Sequence, residues 1–298
     1  MLKNLNGKAS IMGILNVTPD SFYDGGRYRT INSTIRHVED MISCGADIID
    51  VGGESTRPGA KPVSLEEERQ RVLPVINEIK KHFDIPVSVD TYKSEIARQA
   101  LEAGAGMVND ISGLRYDRDM VKLISERKAS VVIMHMQGTP RSMQDKPYYK
   151  NVVDEIKEFF ERQIKFAINN GIKKEYIMLD PGIGFGKTTQ HNVEILKNLH
   201  EFTKLGFPLM VGTSRKSFIG KILGTEQAPL PPQDRLVGTI TTCMWAVING
   251  ANFLRVHDVK EIKHVLKILE SIENYKPNKL GNPRSCPNKL GNPSSVQF

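Results

Sequence analysis

Long apolar runs, paired cysteines and stacking aromatics are all missing from this chain of 298 residues. No stretch approaches the ~20 apolar residues that span a bilayer, and the amino-terminal MLKNLNGKASIMGILNV lacks the apolar core and small-residue cleavage site of a signal peptide. No membrane association is expected, and the cytoplasm is the expected location. Cys44, Cys243 and Cys286 show neither metal-binding nor redox spacing, and so odd and scattered a set suits a reducing compartment. The formal charge of +7 comes with no basic stripe and no aromatics of a recognisable nucleic-acid module. The last 25 residues hold four basic residues and no acidic one, so setting them aside takes the charge from +7 to +3. No nucleic-acid partner is expected; the basic residues should act locally, beside an anionic substrate.

That tail, 274–298, carries PNKLGNP at Pro277 and again at Pro287. Its low apolar content gives it no face to bury, and it is expected to be disordered. Residues 1–273 are then one domain. They alternate short β-branched or apolar runs with longer stretches of helical period. The strands expected are Ser10–Leu15, Ile48–Val51, Val87–Val89, Met107–Asn109, Val131–Met134, Ile177–Leu179, Leu209–Gly212 and Phe253–Val256. Among the helices, Ser64–His82 opens with capping-box spacing between Ser64 and Glu67, and Val152–Asn170 stops at Gly171. Strand–helix alternation implies a parallel sheet, and eight repeats favour an α/β fold of the (β/α)8 TIM-barrel type over an open doubly wound sheet.

Such barrels place their chemistry at the carboxyl ends of strands. Here those ends read Asn16, Gly52–Gly53–Glu54, Asp90, Asn109–Asp110, His135, Asp180, Thr213–Ser214–Arg215–Lys216 and Arg255–Val256–His257–Asp258. Asp, Asn and Gly are also ordinary turn and cap residues, but all the ends being polar argues for one shared mouth. Asp90, Asn109, Asp180 and Lys216 would gather two carboxylates, an amide and an ammonium, groups suited to the edge of an aminopyrimidine. The alternative is a buried ion pair between Lys216 and one aspartate that merely closes the core.

Thr56, Arg57, Arg255 and His257 form an anion-seeking set, in which His257 is a donor whose charge is expected to respond to pH near neutrality, and Asn16 offers a hard oxygen of the kind Mg2+ accepts beside phosphates. Together they suggest a diphosphate. Arg57 also reads as a solvated loop charge. The run DPGIGFGKT fails a Walker A motif at Pro181 and a dinucleotide fingerprint at Lys187. It reads instead as a tight turn bringing backbone and Phe185 close to a ligand. Loops 16–30 and 52–62 are long for such connections; they suit mobile lids, or ordinary disorder.

The sequence resembles the dihydropteroate synthase family of folate biosynthesis over nearly all of Ser10 to Asp258. The resemblance rests on GILNVTPDSFYDGG (13–26), DVGGESTRPG (50–59), VSVDT (87–91), NDISG (109–113), LDPGIGFGK (179–187), TSRKSFIG (213–220) and RVHDV (255–259). It implies joining (7,8-dihydropterin-6-yl)methyl diphosphate to 4-aminobenzoate, with Mg2+, in a homodimer that is a sulfonamide target. It also implies that Asp90, Asn109, Asp180 and Lys216 hold the pterin, with Arg255 stacked over it. Asn16 would hold the metal, and Thr56, Arg57, Arg255 and His257 would surround the diphosphate. Phe22, Pro58, Phe185 and Ser217 would line the 4-aminobenzoate site, and Asp24 would lie on the mobile first loop, which would help order the active site. Asp90, Lys216, Arg255 and Asp24 are the expected catalytic residues. A pterin-dependent methyltransferase or a catalytically silent barrel are the rival readings. TPDSF, STRPG and SRKSF would have little use in the former, and an intact polar set little use in the latter.

Overall fold

The computed structural model describes residues 9–17, 27–56 and 59–274. Phe22, Asp24, Arg57 and Pro58 therefore lie outside the described residues, as does the tail after Asn274.

Eight strands alternate with helices: β1 (Ser10–Asn16), α1 (Arg27–Ser43), β2 (Ile48–Gly52), α2 (Leu65–His82), β3 (Val87–Asp90), α3 (Ser94–Glu102), β4 (Met107–Asp110), α4 (Asp119–Arg127), β5 (Ser130–Met134) and α5 (Val152–Asn169) lead the chain. They are followed by β6 (Ile177–Asp180), α6 (Thr189–Lys197), α7 (Leu199–Thr203), β7 (Met210–Val211), α8 (Ser217–Leu223), α9 (Leu236–Ile248), β8 (Phe253–Val256) and α10 (Val259–Glu273). The sheet order is β6-β5-β4-β3-β2-β1-β8-β7, with every pairing parallel. A parallel bridge between Leu179 and Leu209 joins the two outer strands and closes the barrel. The expected eight strands are all present. β7 is the exception in length, two residues where Leu209–Gly212 was expected, because Leu209 serves the closing bridge and Gly212 has left the ladder for the mouth.

Local chemistry accounts for the helix ends. Ser64 caps α2 by accepting from the Glu67 N–H at 3.2 Å, but the reciprocal half of the expected capping box is absent: the Glu67 carboxylate pairs with Arg71 instead. A complete box occurs at α6, where Thr188 accepts from the His191 N–H and the His191 ring accepts from the Thr188 N–H. α5 ends at Asn169, and Gly171, at φ +91°, supplies the left-handed turn that follows it.

The period-two alternation of the strands sorts their side chains into layers. Outward residues pack against the helices in one continuous core that includes Ile11, Val51, Val89, Val108, Val131, Ile133, Leu179 and Leu254. Inside, Met12, Ile48, Met107, Val132, Met178, Met210 and Phe253 form an apolar floor. Two residues further along the inward-facing rows come Asp50, Asn109, Met134, Asp180 and Arg255. The floor shuts the barrel to water from below, and the polar layer above it opens at the carboxyl ends.

Candidate active site

Asp90, Asn109 and Asp180 are buried, at 8%, 2% and 5% exposure. Arg255 enters this layer from β8 and is its electrostatic centre. Its Nε donates to Asp50 Oδ2 at 2.6 Å, and one terminal nitrogen donates to Asp90 Oδ2 at 2.6 Å. Asn109 Nδ2 donates to the same Asp50 oxygen at 3.1 Å. Asp180 accepts the Gly182 N–H at 2.7 Å, which holds the start of the following loop. Asp50 was not among the expected site residues because it does not end a strand. The signal was present in IIDVG, where an acid shares inward parity with Ile48 in the middle of an apolar run.

These ion pairs differ from those the sequence allowed. The aspartates pair with Arg255, while Lys216 makes no ion pair with a described carboxylate. Its ammonium lies over the Phe185 ring, 4.1 Å from the centroid, a cation–π contact that leaves its N–H donors available. Close packing backs both groups: a Cβ on Gly184 would meet Lys216 Cδ at 3.1 Å, and one on Gly52 would meet Asp90 Cβ at 3.4 Å.

Burial dominates the acid–base properties of the mouth. It pushes the Asp90 carboxyl up to about 7, against the pull of Arg255 and with repulsion from Asp50 adding to the rise. The same cause raises Asp180. Lys216 is pushed down to about 8 by burial and by the Arg255 charge. His257, expected to change charge near neutrality, does not do so. Burial, then the neighbouring Arg255 charge, pushes it down to about 4, so it is a neutral imidazole at physiological pH. Its Nδ1 is 3.0 Å from Ser214 Oγ, which also accepts the His257 N–H at 3.1 Å.

Of the remaining expected residues, Asn16 is exposed at the end of β1, Thr56 is half-buried, Ser217 is exposed at the start of α8, and Phe185 is buried with Ile111, Met134, Met136 and Met143. Two strand-end acids have structural duties. Asp110 accepts the N–H groups of Ser112 and Leu114 at 2.8 and 2.9 Å, and Asp258 binds the Arg215 guanidinium through both oxygens. A further cluster anchors the loop after β2. Lys93 Nζ donates to Glu54, Glu68 and the Val63 carbonyl at 2.7, 2.5 and 2.7 Å, so one side chain ties both ends of that loop to α2.

Three buried oxygens in the layer, Asp50 Oδ1, Asn109 Oδ1 and Ser88 Oγ, have no partner among the described residues. Buried polar atoms normally find partners, and the two acceptor-only oxygens, Asp50 Oδ1 and Asn109 Oδ1, suit hydrogen-bond donors from a ligand. Fold and site thus define a barrel enzyme whose polar layer, above an apolar floor and open at the carboxyl ends of the strands, suits a small polar ligand. The pterin binding enzyme family matches residues 12–257. A dihydropteroate synthase of Synechocystis is 46% identical over 262 residues, covering 88% of this chain and 89% of the relative. The solved Yersinia pestis dihydropteroate synthase with a sulfonamide drug superimposes at a TM-score of 0.84 with 41% identity, over 92% of this chain and 97% of that one. The Xanthomonas albilineans dihydropteroate synthase in complex with 7,8-dihydropteroate does so at 0.81 with 36% identity, again over 92% and 97%. The chain belongs to the pterin binding enzyme family and, within it, to the dihydropteroate synthases.

Proposed function

We propose that this enzyme is a transferase that condenses (7,8-dihydropterin-6-yl)methyl diphosphate with 4-aminobenzoate, giving 7,8-dihydropteroate and diphosphate. The observation that carries this reading is the buried layer of Asp90, Asn109 and Asp180 with Lys216 at its edge. Together with Asp50 and Arg255 it holds three carboxylates against two cations, an excess of acceptors that suits the N–H-rich edge of an aminopyrimidine.

In this reading Asp180 and Asn109 receive the ring's N–H groups and Lys216 donates to its carbonyl or ring nitrogen. Arg255, fixed by Asp50 and Asp90, stacks against the pterin and faces the leaving group. Neutral His257, Thr56 and Arg57 donate to the diphosphate. Phe185 and Ser217 line the 4-aminobenzoate side, together with Phe22 and Pro58, and the first loop, which carries Asp24, helps order the active site. The reaction is dissociative: the C–O bond to diphosphate breaks first, and the pterin carries the developing methylene cation. The amine then forms the C–N bond and gives up a proton. Ionised Asp90 stabilises the cation without bonding to it.

Among the described residues no cluster of three or more His, Cys, Asp or Glu could cage a metal. Asn16 has an exposed amide that no described side chain occupies. One neutral oxygen suits Mg2+ that arrives with the diphosphate and keeps most of its waters. When bound there, Mg2+ would neutralise charge on the departing diphosphate.

A homodimer is part of the same reading. Val237, Trp245 and Ile248 of α9, Ile222 and Leu223 of α8, and Ile268 and Ile272 of α10 are exposed large apolar side chains, and a second copy of this chain would cover them. No helix among the described residues is long and apolar enough to cross a membrane, and we assign the enzyme to the cytoplasm. The deciding experiment is a coupled assay for dihydropteroate with and without Mg2+. Product that depends on both substrates and on the metal is expected, and no product with all three present would refute the reading.

A further inference from the structure

Lys187 ends the glycine run after β6, yet its side chain points into the protein and the residue is only 3% exposed. Three acceptors surround its Nζ: His135 Nδ1 at 3.0 Å, the Phe185 carbonyl at 3.0 Å and the His135 carbonyl at 3.3 Å. An ammonium has three N–H donors, so this arrangement satisfies it fully. No described carboxylate touches it. An apolar residue would fill the same space without the desolvation cost of a buried amine, so the contacts themselves need a reason.

Those contacts fasten one loop to another. His135 directly follows β5, and Phe185 belongs to the loop after β6. The two backbones lie flush: a Cβ on Gly182 would fall 1.9 Å from the His135 carbonyl oxygen, and one on Gly186 would fall 2.5 Å from that of Gln137. Gln144 donates to the Gly184 carbonyl at 2.8 Å and Tyr149 to the Gly186 carbonyl at 2.9 Å. The carbonyls at 184 and 186 are thus held from the β5 side, while Lys187, from the same loop as Phe185, holds the one between them and reaches across to His135. The His135 ring is itself fixed edge-on against Phe159 at 4.9 Å. Burial pushes both the His135 imidazole and the Lys187 amine well below their ordinary values. A neutral imidazole accepting at Nδ1 keeps its proton on Nε2.

We propose that His135 and Lys187 are a positioning pair that sets the Phe185 ring under the Lys216 ammonium, and so shapes the 4-aminobenzoate side of the mouth. Neither touches substrate; each acts through Phe185. The inference rests on the reading that Phe185 lines the 4-aminobenzoate site.

The test is steady-state kinetics on the full-length enzyme with both substrates varied, for Lys187→Met, His135→Leu, His135→Asn and Phe185→Leu, each assayed well below its own melting temperature. Lys187→Met and His135→Leu are expected to raise the KM for 4-aminobenzoate about tenfold, with kcat and the KM for the pterin diphosphate within about threefold of the parent. His135→Asn returns an acceptor to the Nδ1 position and should restore most of the loss. Melting-temperature shifts with an unchanged 4-aminobenzoate KM in both Lys187→Met and His135→Leu would overturn the pair's positioning role. If Lys187→Met does not fold, the contrast between His135→Leu and His135→Asn decides. Phe185→Leu separates the two layers of the reading. An unchanged 4-aminobenzoate KM there removes Phe185 from the site, and the inference with it. A raised one beside a silent Lys187→Met overturns only the inference.

Discussion

Asp50→Asn tests the charge that holds the site together. Asp50 is fully buried, and a single oxygen, Oδ2, takes both the Arg255 Nε–H at 2.6 Å and the Asn109 amide at 3.1 Å. Asparagine keeps that oxygen and puts its NH2 where Oδ1 now lacks a described partner, so shape and the two hydrogen bonds to Oδ2 survive while one negative charge and one free acceptor go. Two unit charges ~4 Å apart attract by about 4 kcal/mol at an effective dielectric constant near 20. The loss is partly offset, because burying Asp50 costs desolvation. A net destabilisation of roughly 2–3 kcal/mol follows, about 4–6 °C in melting temperature for a chain of this size. With Asp50 neutral, Arg255 is drawn wholly to Asp90, and kcat/KM is expected to fall about 10- to 100-fold. The substitution also removes a repulsion that raises Asp90, so the Asp90 carboxyl must titrate lower. The acid limb of kcat/KM should therefore move to lower pH. Thermal denaturation and a pH series of the coupled assay read these effects. An acid limb that stays put or moves up would refute the electrostatic argument, and so would a parental melting temperature and turnover.

In the parent enzyme, Asp90 must be ionised and Lys216 protonated. With values of about 7 and about 8, kcat/KM should rise with pH through the first and fall through the second, and a flat profile from about pH 6 to 9 would exclude both roles. Gly182→Ala should be severely damaging. Its φ of +66° is left-handed and its Cβ would overlap the His135 carbonyl; several kcal/mol are at stake, and near-parental thermal stability would contradict the packing. Replacing both Val237 and Ile248 with lysine should convert a dimer to a monomer in sedimentation, whereas an unaltered sedimentation coefficient would move the interface elsewhere. Asp90→Asn should lower kcat far more than it weakens pterin binding; equal losses would mean that Asp90 holds the ring and does no more.

The barrel was legible because its signal is local. Strand and helix periods, and glycines such as Gly171 that end helices, are written in neighbouring residues, and strand–helix alternation leaves little choice of sheet. The strand-end polar residues were legible for the same reason, as were the motifs that carry the family resemblance. What the chain could not declare was which charges meet. Arg255 lies 205 positions from Asp50 and 165 from Asp90, and only closure of the sheet brings β8 beside β1 and hence near β2 and β3. That closure selected Arg255, not Lys216, as the partner of the aspartates and drew Asp50 into the layer. It also silenced the His257 titration, because a pKa depends on burial and on neighbours that arrive from other strands. Residue types and their order along each strand follow from sequence. Pairing, protonation and the orphan acceptors of the mouth exist only once the eight strands have met.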